Sequence, residues 1–67
     1  MSESPYSNVK RIVWREHPKG PGIATFEYED GGHDHRAMSQ YEARDLAQSL
    51  GLVDLQERHD IHEWVRL

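Results

Sequence analysis

A chain of 67 residues with 12 acidic and 8 basic side chains, net −4, and no cysteine already excludes several classes of protein. So short a chain makes one domain and buries only about 60% of the surface its unfolded form exposes. Without cysteine there are no disulfides, no thiolate metal sites and no cysteine nucleophile, which fits a reducing, cytoplasmic setting. No basic segment followed by an apolar stretch opens the chain, so no signal peptide is expected, and the apolar runs are far too short to span a membrane.

Residues 1–7, MSESPYS, are polar and contain Pro5, which marks a loose tail before a single domain over 8–67. Residues 8–16 form a strand candidate through Val9, Ile12, Val13 and Trp14. The run HPKGPG at 17–22 reads as a loop. In residues 23–29, IATFEYE, Ala24, Phe26 and Tyr28 alternate with Thr25, Glu27 and Glu29, the period of a half-buried strand. Pairing the two strands with Ile12 opposite Phe26 brings Trp14 to Ala24, Arg11 to Glu27 and Lys10 to Tyr28.

The sequence Asp30-Gly31-Gly32-His33 predicts a two-residue hairpin turn, because paired glycines supply the positive φ values of a primed turn. Counting outward, Asp30 then faces His33, Tyr28 faces His35, Glu27 faces Arg36 and Phe26 faces Ala37. Ser39-Gln40-Tyr41-Glu42 is a capping-box pattern that starts a helix, and Gly51 stands where its C-terminal cap belongs. Tyr41, Leu46, Ala47 and Leu50, with Ala43 beside them, supply the apolar stripe that covers the sheet. Asp54-Leu55-Gln56-Glu57 repeats the capping pattern and predicts a short helical turn to about His59. The β-branched and aromatic content of IHEWVRL, 61–67, inclines it to a fourth strand. The fold expected is therefore α+β, in the order β-β-β-α-β. A three-stranded antiparallel sheet is packed by one main helix, and a last strand follows a helical turn.

Charge divides unevenly along the chain. Residues 1–22 hold four cations against two carboxylates, a net +2, whereas 23–67 hold four arginines against ten carboxylates, a net −6. An acidic surface disfavours nonspecific nucleic-acid binding and suits a basic protein partner. No serine lies in a G-x-S-x-G context, and Ser39 is explained as a helix cap, so no nucleophile is read. Glu27 and Glu29 share one strand face as solvated acids in a chain too small for a deep cleft.

The histidines are the competing feature. His33 and His35 are two apart in a strand and share a face, a geometry by which a sheet offers two imidazoles to zinc. Completing that site requires His59 or His62 to fold back beside them. The alternative is that His33 belongs to the turn and His35 is an ordinary strand side chain. His59-Asp60 resembles the HD dyad of metal-dependent phosphohydrolases, but over two residues only, and that family spreads its other ligands over a much larger helical bundle.

Three strands followed by a helix resemble, in outline, the plant ethylene-response domain and the arm-binding domains of phage integrases. That resemblance implies DNA binding by a basic sheet face, for which Lys10, Arg11 and Arg15 are available. Glu27, Glu29, Asp30 and Asp34 would then face phosphate, so charge opposes it. The order of elements also resembles a small phage-encoded inhibitor of bacterial RNA polymerase, which fits the acidic balance better. The leading expectation is a non-enzymatic binding module with no cofactor, a phage or mobile-element inhibitor being its most concrete form. It docks on a basic, nucleic-acid-handling protein through Glu27, Glu29, Asp30 and Asp34, with Trp64 as an apolar anchor. A homodimer through an exposed edge strand is a further option.

Overall fold

In the computed structural model, which describes residues 8–57 and 61–66, the elements in chain order are β1 (Val9–His17), β2 (Gly20–Tyr28), β3 (His33–Ala37), α1 (Gln40–Ser49), β4 (Val53–Glu57) and β5 (Ile61–Val65). The strands form one antiparallel sheet in the order β3-β2-β1-β5-β4, so the domain is α+β with five strands rather than three or four. The expected tail over 1–7 lies outside the described residues. Among the described residues no helix is long and apolar enough to cross a membrane.

The β1–β2 pairing follows from the alternation of both strands: Ile12 faces Phe26, Trp14 faces Ala24 and Arg11 faces Glu27. One partner differs. Val9, not Lys10, stands opposite Tyr28, because the register shifts between Val9 and Arg11. This bulge turns Val9 into the core, where it is fully buried, and leaves Lys10 exposed. At the far end the strands run closer to the hairpin than the HPKGPG composition suggests. His17 pairs with Gly20, leaving Pro18 and Lys19 as the turn.

That end is locked by Trp14. Its indole Nε1 donates to the Met38 carbonyl at 2.8 Å, and its ring lies against Gly22. Gly22 has φ +118°, and a Cβ there would stand 2.5 Å from the indole. Only glycine satisfies both the backbone angle and the contact.

The second hairpin departs from expectation. Only Gly31 of the glycine pair has positive φ, so a two-residue primed turn does not form. Four residues make the connection instead: Tyr28 N–H donates to the Gly32 carbonyl, Gly31 N–H donates to the Tyr28 carbonyl, and the Asp30 carboxylate accepts from Gly32 N–H at 2.9 Å. His33 therefore faces Glu27 instead of Asp30, and Phe26 faces Asp34 instead of Ala37, a slip of three residues. An odd slip exchanges the two faces of a strand. His33, His35 and Ala37 turn away from the core side, and Asp34 and Arg36 turn toward it. The exchange is tolerated because β3 is an edge strand, while α1 packs on β1 and β2.

Helix α1 begins and ends where the sequence signals it. Ser39 Oγ accepts from Glu42 N–H at 3.1 Å, although the Glu42 carboxylate meets the Ser39 hydroxyl and not its amide, so the box is half made. At the other end Leu52 N–H reaches the Ala47 carbonyl and Gly51 N–H the Gln48 carbonyl, with Gly51 at φ +76°; this is a Schellman cap. Ala43 and Ala47, one helical turn apart, face the sheet and let the helix backbone approach closely. Leu46 and Leu50 flank them, half-buried. Tyr41 does not join the stripe: it is exposed, with the Arg44 guanidinium 5.5 Å from its ring centre. One core results, from Val9, Ile12, Trp14, Ala24, Phe26, Ala43, Ala47, Leu52 and Trp64.

The segment expected to form a helical turn after Asp54 is strand β4 instead, paired with β5. A capping pattern stabilises a helix only if enough chain follows to close several turns. Here five residues adjoin a strand whose free edge satisfies their backbone groups. The last strand, expected over 61–67, forms as β5 but pairs on both sides, with β1 and β4.

Two glycine substitutions separate backbone angle from contact. Gly31→Ala, with open space around its Cβ, should lower unfolding free energy by about 1 kcal/mol, from the positive φ alone. Gly22→Ala should lower it by at least ~2 kcal/mol, because the indole must also move. Urea unfolding of both variants compares them; equal losses would show that the Trp14 contact contributes nothing.

Candidate docking surface

Among the described residues, helix α1 covers one face of the sheet and no element packs on the other, so the residues alternating with the core positions form an open face there. The registers order it into rows. Across the middle, Arg11 of β1 lies between Glu27 of β2 and Glu63, two residues from Val65, its partner on β5. Arg11 Nε is 3.5 Å from the Glu27 carboxylate and 3.0 Å from that of Glu63. Its N–H is not aligned for a hydrogen bond to either, so the row is held by charge rather than by a directed bond. Beside it run Val13, covered by its neighbours, and half-buried Ile23, Ile61 and Val65; Val53 on the β4 edge is 42% exposed. Toward β3, Thr25 Oγ1 lies 2.9 Å from His35 Nδ1. The open face thus carries an aliphatic floor and a compensated charge row.

The acids singled out in the sequence do not form one surface. Glu27 belongs to the open face and is paired with Arg11. Glu29 and Asp30 are exposed at the β2–β3 turn, at one end of that face. Asp34 lies on the helix side of β3, where its carboxylate is 3.7 Å from the Arg36 guanidinium and accepts from Tyr28 Oη at 3.5 Å. Trp64 is 2% exposed in the core and cannot anchor a partner. Among the described residues, the large apolar side chains that are mostly exposed include Tyr41, Val53 and Leu55.

The histidines separate in the same way. His33 and His35 are exposed on the open face of edge strand β3. His62 faces Trp14 across β1 and β5, so it is on the opposite side of the sheet, with two strands between. Its ring stacks on Trp64 at 5.9 Å between centroids, tilted 17°, and lies 5.8 Å from Trp14. His59 falls outside the described residues. Among the described residues no group of three or more His, Asp or Glu is placed to hold a metal ion. The basic set divides too: Arg11 is paired within the carboxylate row, while Lys10 and Arg15 are exposed. The open face therefore interleaves cations with carboxylates, unlike a basic groove reader.

Sequence reasoning missed Glu63, Ile61 and Val65 as members of this face. The signal was present in the alternation of IHEWV, where Ile61, Glu63 and Val65 oppose His62 and Trp64. Comparison of the chain with protein-family models, with curated proteins and with solved structures gives no match.

Two measurements test this arrangement. Stoichiometric zinc, followed by imidazole NMR, should leave the His62 resonances unmoved whatever it does at His33 and His35. Joint movement of all three would contradict their separation. Arg11→Gln should destabilise the fold by about 1 kcal/mol or less, since all three side chains retain solvent contact. A double-mutant cycle with Glu63→Gln should recover part of that loss, and strict additivity would show the 3.0 Å contact to be energetically silent.

Proposed function

We propose that this protein is a non-enzymatic binding module that docks on another protein through the open face of its sheet. The observation that carries the reading is one-sided coverage: α1 covers one face, and the other presents Ile23, Ile61, Val65 and Val53 around the Arg11 row. A partly aliphatic face with compensated charge can exclude water against a complementary surface, and its rim supplies orientation. Glu29 and Asp30 lie exposed at the turn that ends this face and make no ion pair among the described residues. With the net −4 of the chain, they favour a partner with basic groups opposite that end. A small inhibitor or regulator of a nucleic-acid-handling protein is the most concrete form of this reading. It rests on the charge balance of the chain.

The test compares two surfaces. Thr25→Arg places a bulky cation in the middle of the open face, whereas Gln48→Arg does the same on the exposed side of α1. A partner captured by the wild-type chain should lose about tenfold or more in affinity with the first variant and little with the second. Glu29→Lys with Asp30→Lys should weaken the complex further and flatten its salt dependence. Equal binding by the Thr25 and Gln48 variants would reject the open face as the docking surface.

A further inference from the structure

At the end of the open face away from Glu29 and Asp30, the β1–β2 hairpin and the end of β3 line a wide-mouthed pocket of about 180 Å³. Ile23 and Ala37, cross-strand neighbours, form its apolar wall, and Pro21 with Gly20 and Gly22 completes it. An engineered apolar cavity of roughly 150 Å³ admits benzene, so this volume suits one aromatic ring or one large aliphatic side chain. The shape is held from behind: Trp14 fixes Gly22 and bonds the Met38 carbonyl, while Met38 N–H bonds the Gly22 carbonyl at 3.1 Å. A pocket built on a glycine pinned by an indole is preformed, which limits the ordering a ligand must impose.

Its rim has one sign of charge. Among the described residues, the ionisable ones that line it are His17 and Lys19, and no carboxylate does. Lys19 makes no ion pair among the described residues. His17 Nδ1 accepts from Lys19 N–H at 3.1 Å, so in the neutral ring Nε2 carries the proton and remains a donor. An ammonium and an imidazole N–H beside an apolar pocket match a carboxylate adjoining an apolar side chain. We infer that this pocket takes an aromatic side chain of a partner protein that is flanked by an aspartate or glutamate. The inference deepens the docking reading above by naming the anchor at this end of the face. It also assigns the partner opposite charge preferences at the two ends: basic against Glu29 and Asp30, acidic against Lys19.

The experiment uses the full chain and three blocked peptides: acetyl-Asp-Phe-Asp-amide, acetyl-Asn-Phe-Asn-amide and acetyl-Asp-Ala-Asp-amide. Amide NMR of the labelled protein should show millimolar Asp-Phe-Asp shifting Gly20, Gly22, Ile23 and Ala37. The Asn-Phe-Asn peptide should bind about threefold more weakly, the size of a solvent-exposed ion pair. The alanine peptide should produce no saturable shift. Lys19→Glu should reverse the preference between the aspartate and asparagine peptides, and Ala37→Leu, at an exposed position, should fill the pocket and abolish binding. Absence of saturable shifts at these residues overturns the inference, as does a charge preference that survives Lys19→Glu. If the peptides fail while Thr25→Arg still releases the captured partner, the pocket assignment falls and the open-face reading stands; the converse result would reject the face and keep the pocket.

Discussion

Ile12 stands opposite Phe26 on one side and Trp64 on the other, and all three are buried to within 2% of complete. This row crosses the three central strands and fixes their registers together. A slip of one residue in β2 or β5 would send its aromatic side chain to the open face and replace it with Glu27 or Glu63. In a chain this small few such rows exist, so the loss of one is a large part of the stability. Helix α1 then needs only small side chains toward the sheet, because the aromatic volume comes from the strands. Ala43 and Ala47 meet that need.

The same row determines the functional geometry. With Phe26 and Trp64 committed inward, Glu27 and Glu63 must face outward on either side of Arg11, and the charge row of the open face is the obligatory reverse of the core. Ile61 and Val65 are carried outward by the same alternation. The hairpin pocket depends on the core in another way. Trp14 occupies the inner side of Gly22, and the wall formed by Ile23 and Ala37 lies on the outer side of the same backbone. Core packing and candidate binding surface are two sides of one layer of strands.

Much of this was legible in local chemistry. The Ile12–Phe26 register follows from alternation in two strands, and both ends of α1 follow from Ser39 and Gly51. The errors are equally specific. The glycine pair promised a tighter turn than the Asp30 side chain permits, since its bond to Gly32 N–H favours a four-residue connection. The capping pattern at Asp54 lost to strand pairing with β5. Trp64 was read as a surface anchor because nothing in its own neighbourhood shows that a central strand buries it. Of the acidic set, Glu27 reached the open face and Asp34 the opposite one, a division decided by three residues of register.

The sequence by itself determined what depends on neighbours a few residues away: the alternation of β2, the caps of α1, and the absence of thiol chemistry. The tertiary structure decided which strands are neighbours, which face each edge strand presents, and that His62 is parted from His33 and His35 by the thickness of the sheet. The physical reason is the period of two along a strand. Alternation states which residues share a face but not which face is buried, and that choice is made only when a partner strand pairs in register.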